Sequence, residues 1–136
     1  MTKVVITAAG KGTRLLPFTK DMPKEMMPIF SEKSTEEKIV IPLLQYIFEQ
    51  LYDMNFRDYC FIVRKEKRVI QEHFKIQKSY LKNIPNNYKK IMNVFYKKLT
   101  NSKLVWINQP KPLGFGHAVK QAEKFVGKED FRSEER

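Results

Sequence analysis

The stretch that most limits what this chain can fold into is residues 4–29, VVITAAGKGTRLLPFTKDMPKEMMPI, where a β-branched run passes straight into a glycine-bearing loop and then a spaced series of prolines, an arginine and lysines. Val4, Val5 and Ile6 have the character of a buried parallel strand, and Ala8-Ala9-Gly10-Lys11-Gly12-Thr13 follows at once. Small side chains let a backbone approach a ligand closely. Gly10 and Gly12 can take positive φ, so successive N–H groups can converge on one anion. Arg14 adds a planar cation suited to forked contact with phosphate oxygens, and Lys24 adds a compact one. Two cations and an anion nest suit a triphosphate.

Two look-alike loops are excluded by spacing. A Walker-type loop requires glycine where Val5 stands and a hydroxyl residue where Gly12 stands. A dinucleotide-binding fingerprint requires a third glycine at the position of Leu15. Taken by itself the Gly-x-Gly pattern is better read as a βα turn whose glycines serve the bend, with Arg14 and Lys24 solvated.

The wider pattern changes that balance. Gly10, Gly12, Thr13, Arg14, Pro17, Thr19, Pro23, Lys24 and Pro28 together resemble the signature of sugar-phosphate nucleotidyltransferases. Within that superfamily, Pro23-Lys24-Glu25-Met26-Met27-Pro28 and the later run from Gln109-Pro110 to Gly114-Phe115-Gly116-His117-Ala118-Val119 resemble the bacterial and archaeal UTP:glucose-1-phosphate uridylyltransferase branch. Gly-Phe-Gly stands where the thymidylyltransferase branch usually has Gly-Leu-Ala, so uridylyl is preferred over thymidylyl. The resemblance implies a Rossmann-like, doubly wound α/β fold. It also implies UTP and glucose 1-phosphate as substrates and Mg²⁺ as cofactor. Arg14 and Lys24 would be catalytic. Residues 8–13 (Ala8, Ala9, Gly10, Lys11, Gly12, Thr13) would bind nucleotide, with Glu25 and the Ala9-Gly10 backbone at the base and ribose, Gln109 and the Gly114 backbone at uracil, and His117 either contacting phosphate or capping its helix.

Composition narrows the class further. Apolar residues at 42% and charged residues at 30% fit a globular chain, and no run approaches the roughly 20 apolar residues of a membrane span, so the expected location is cytoplasmic. Cys60, the single cysteine, lies in the apolar run 59–63 and reads as core. The net charge of +11 is unevenly spread, because no carboxylate occurs between His73 and Ala122 while lysines alternate there with Tyr80, Tyr88, Phe95 and Tyr96. Such a surface can bind nucleic acid. A solvated lysine face with aromatics turned inward is the preferred reading, since the stretch has no arginine to read base edges.

The remaining pattern predicts a polar surface excursion over residues 31–38, then a helix with Pro42 in its first turn and Leu44, Ile47, Leu51 and Met54 on its buried face. Residues 59–63 and 104–108 read as the second and third strands. Residues 65–74 read as a helix with Val69, Ile70, His73 and Phe74 toward the core, His73 being structural. After a break at Pro85, the spacing of Tyr88, Ile91, Met92, Phe95, Tyr96 and Leu99 predicts a second amphipathic helix, and another begins near Gly116. The loop after the third strand would lie beside the glycine loop, because ligands bind outside the carboxyl ends of strands in open α/β sheets.

Residues 1–130 are thus expected to be the N-terminal, nucleotide-binding part of a nucleotidyltransferase domain, with 131–136 (FRSEER) a solvated tail. By resemblance, the Mg²⁺-binding carboxylates and sugar-binding residues belong to later segments, so no metal ligand is assigned. Strands in the order 3-2-1 would leave the edge of the first strand open to self-association or to another chain. Two rival readings stand beside the enzyme: a uridine-nucleotide-binding module without turnover, and a lysine-rich nucleic-acid binder.

Overall fold

The structure, a computed structural model, describes residues 2–31, 38–110 and 114–135. The chain runs β1 (Lys3–Ala8), β2 (Pro28–Ser31), β3 (Ile39–Pro42), α1 (Leu43–Asp53), β4 (Asp58–Val63), α2 (Arg68–His73), α3 (Asn86–Thr100), β5 (Lys103–Asn108), α4 (Phe115–Lys120), α5 (Glu123–Val126) and β6 (Phe131–Glu135), with short 3-10 turns between. Four strands form one sheet in the order β5-β4-β1-β6, every pair parallel. The expected order of the first three strands therefore holds within a four-stranded sheet.

Alternation along the strands sends side chains to two faces, and the helices divide accordingly. Val4, Ile6 and Ala8 of β1 join Tyr59, Phe61 and Val63 of β4 under α1, α2 and α3. Val5, Cys60 and Ile62 face the other way, against Ala118, Ala122 and Val126 of the α4–α5 segment. Helices on both faces of a parallel sheet are the doubly wound arrangement. The first face is aromatic: the fully buried Phe48 ring meets Tyr59 at 4.9 Å and Phe74 at 5.7 Å edge-on, while Phe61 stacks on Trp106 at 4.4 Å.

Several expectations are corrected. Residues 131–135 are not a solvated tail; they pair with β1 from Lys3↔Phe131 to Thr7↔Glu135 and occupy the edge expected to be open. The reason is the backbone of β1, a buried strand whose N–H and C=O groups on that side require partners whatever the side chains opposite. Met54 lies past the end of α1 and is 57% exposed, while Phe48, outside the expected stripe, is fully buried. Val69 and Tyr88 are likewise exposed, because the core sides of their helices are filled by Ile70 and Phe74, and by Phe95, Tyr96 and Leu99. The lysine face is not wholly solvated, since Lys98 on α3 lies 3.6 Å from both Glu49 and Asp53 of α1. Part of the polar excursion is structured: β2 and β3 pair antiparallel from Pro28↔Pro42 to Ser31↔Ile39, and residues 32–37 lie outside the described residues.

Candidate functional site

Register places the site. Ala8, Val63 and Asn108 are Cα partners across β1, β4 and β5, so the residues that follow them leave one edge of the sheet side by side. Adjacent strands lie about 4.8 Å apart, which puts the loops after β1 and β5 about 10 Å from each other.

The two loop glycines do different work. Gly12 has φ of 65° and opens a 3-10 turn over Thr13–Leu15; a Cβ there would stand 2.8 Å from Thr19 Cγ2, and the Thr19 hydroxyl donates to the Gly12 carbonyl. Both backbone conformation and crowding require glycine. Gly10 is outside the left-handed region, which corrects the expectation of positive φ at both positions, and a Cβ on it would meet no protein atom within 4 Å. Space above Gly10 is therefore left open on the ligand side of the loop.

Beside Gly10 lies a cleft of about 310 Å³ into which Lys11, Lys20, Lys24, Arg64 and Lys67 converge with a single carboxylate, Asp21. Such an imbalance in a concave site favours polyanions. Lys24 lines it as the sequence suggested, whereas Arg14 is exposed in the same loop and stands outside the lining residues. Thr13 is exposed, and Ala8 and Ala9 are buried in the sheet layer.

Glu25 is not open to the cleft as a free carboxylate. It is 3% exposed, and Lys67 Nζ donates to its two oxygens at 3.2 and 3.4 Å. Burial draws the Lys67 ammonium below its usual range, and Glu25 pulls it back toward the charged form. Sequence reading missed Lys67 and Arg64 by treating the run after Val63 as the start of a helix only. Its signal was there: cations directly after an apolar strand stand at the carboxyl edge of a parallel sheet.

At the end of β5, Gln109 is 2% exposed, its backbone N–H donating to the Val63 carbonyl at 2.7 Å. Its side-chain amide nitrogen lies 2.7 Å from His117 Nδ1, and the Gln121 amide nitrogen lies 3.4 Å from His117 Nε2. Gly114, with φ of 95°, precedes α4 and so turns the chain to bring His117 under Gln109. The N-cap of α4 is Gly114, which has no side chain to offer the helix.

Other reactive groups are structural. His73 Nε2 meets Gln45 Oε1 at 2.7 Å and its ring stacks on Phe95 at 5.5 Å, burial lowering its pKa. Burial pushes the Cys60 thiol up to about 11, leaving it inert at neutral pH. Among the described residues no three His, Cys, Asp or Glu side chains gather where a metal could sit. Nor, among them, is any helix long and apolar enough to cross a membrane.

The chain matches the nucleotidyl transferase family over residues 3–133. It is 38% identical over 130 residues to the UTP–glucose-1-phosphate uridylyltransferase of Bacillus subtilis (strain 168), covering 95% of this chain and 41% of that protein. Against the same-named protein of Streptococcus pneumoniae it is 37% identical over 129 residues, 95% of this chain and 40% of the relative. A crystal structure of UDP-glucose pyrophosphorylase complexed with UDP-glucose superposes with a TM-score of 0.76 at 26% identity, over 98% of this chain and 44% of that one. A UTP-bound UGPase from Acinetobacter baumannii gives the same TM-score, identity and coverage. The chain thus spans about two-fifths of the length of the curated relatives it matches.

Proposed function

The chain belongs to the nucleotidyl transferase family, and from that premise we propose that it supplies the nucleotide-binding half of an enzyme that transfers a uridylyl group from UTP to glucose 1-phosphate, giving UDP-glucose and pyrophosphate. The observation that carries this reading is the common row of strand ends, which brings the Gly10 cleft, the Glu25–Lys67 pair and the Gln109–His117 pair to one edge of the sheet.

In the proposed reaction a phosphate oxygen of the sugar phosphate attacks the α-phosphorus of UTP in line, and the bond to the bridging oxygen of pyrophosphate breaks. No protein nucleophile is consumed. Rate enhancement comes from aligning two phosphates and from stabilising charge on the five-coordinate phosphorus and the leaving group. Lys24 and the neighbouring cleft cations hold phosphate oxygens. Arg14, exposed in the same loop outside the cleft lining, takes the β and γ phosphates as the leaving group forms. Glu25, buried against Lys67, serves the ribose side of the pocket by holding that ammonium in place at the cleft. Gln109, with the Gly114 backbone, reads the uracil edge through an amide that both donates and accepts. A bound Mg²⁺ would supply further neutralisation of the phosphate charge.

Calorimetric titration of the folded 136-residue chain with UTP, with ATP and dTTP as competitors, tests the reading. Saturable uptake selective for UTP is expected. A folded chain that takes up no uridine nucleotide overturns it.

A further inference from the structure

Gln109 is anchored at both ends of its length: the backbone N–H on Val63 and the side-chain amide on His117, with only 2% of the residue exposed. An amide so enclosed has two orientations, and they present opposite chemistry. With the nitrogen on His117 Nδ1, as the structure has it, one N–H is spent on the imidazole, and Oε1 with the second N–H forms the free edge. That edge accepts from a base N3–H and donates to the adjacent carbonyl, the pattern of uracil. With the amide reversed, one Oε1 lone pair would be spent on the ring and the free edge would exchange its ends, donating where uracil N3 also donates and accepting where uracil presents a carbonyl. Cytosine, whose N3 accepts, would then be favoured.

Resting on the reading of Gln109 as the base contact, we propose that His117 is a positioning residue that selects uracil over cytosine by accepting the Gln109 amide N–H at Nδ1, thereby fixing which edge of that amide meets the base. His117 does not touch the base. Two amide nitrogens face the ring and a neutral imidazole accepts at only one of its own, so the short contact at Nδ1, 2.7 Å against 3.4 Å at Nε2, makes Nδ1 the acceptor and leaves the proton on Nε2.

The test is the ratio of UTP to CTP affinity, in which the shared ribose and triphosphate contacts cancel. The wild-type chain should prefer UTP. In His117→Ala the amide loses its partner, and the ratio should fall by about tenfold, the worth of one buried hydrogen bond held in register. His117→Asn should restore it, because Asn Oδ1 stands near the place of Nδ1 and can accept the same bond. An imidazole ¹⁵N spectrum of the wild-type chain adds a readout independent of any variant: Nδ1 of His117 should be the unprotonated nitrogen. A preference unchanged in a folded His117→Ala, or a ring protonated at Nδ1, overturns the role of His117 and leaves the uridylyl reading standing. A wild-type chain that binds UTP and CTP equally overturns the selection itself, and one that binds neither removes the parent reading.

Discussion

The two faces of the sheet are built differently. Under α1–α3 the core is aromatic and deep, with Phe48, Phe61, Phe74 and Phe95 in mutual ring contact. Beneath α4 and α5 it is thin, made of Val5, Ala9, Cys60, Ile62, Ala118, Ala122 and Val126. Buried polar groups follow suit: an ion pair, Glu25–Lys67, on the first side, and the Gln109–His117–Gln121 cluster on the second. The Glu25–Lys67 pair is thus mounted on the thicker layer and the Gln109–His117 pair on the thinner one, where less apolar surface opposes local opening.

The sharpest way to break this contrast is to remove one large side chain from each layer. Phe48→Ala should cost about 3–5 kcal/mol. Val126→Ala should cost only about 1.5 kcal/mol, two methylenes' worth. Urea denaturation midpoints measure both, and equal losses would erase the distinction.

Next in size is the buried ion pair. Lys67→Met leaves the Glu25 carboxylate enclosed without its partner, and because Lys67 also lines the cleft the expected cost is about 2–3 kcal/mol, below that of a fully sealed pair. The double variant Glu25→Gln, Lys67→Met should recover more than half of that loss. A double-mutant cycle by chemical denaturation checks it, and simple additivity would show that the two side chains do not act as a pair.

The smallest effect is a pH dependence. Burial holds the His73 imidazole below its ordinary pKa, so between that lowered value and the unfolded value near 6.5 the unfolded chain binds more protons than the folded one. Stability from this group is complete above the unfolded pKa and is lost as pH falls through about 6.5. Denaturation midpoints should therefore drop between pH 7.5 and 5.5, and His73→Gln should flatten the drop, because the drop belongs to the first layer alone.

Much of this was legible in the chain. The strand before the glycine loop, the order of the first three strands, the helices beginning beside Pro42 and Pro85, and the place of Lys24 after the glycine loop all follow from local pattern. The β2–β3 hairpin was not legible, because Pro28 and Pro42 at its ends carry the marks of loop rather than strand. Nor was the enclosure of Glu25, whose partner lies 42 residues away in sequence.

What the sequence by itself determined is whatever depends on neighbours along the chain: periodicity, the glycine that Gly12 must be, the strand-to-loop transition and the nucleotidyltransferase pattern it carries. Tertiary structure alone decided the pairings across the fold. β6 is a polar segment made into a strand by the unmet backbone of β1, and the Lys67–Glu25 and His117–Gln109 contacts form only when separate segments meet at one sheet edge. The physical reason is that hydrogen bonds and charge pairs act within a few ångströms of space, and sequence records distance only along the chain.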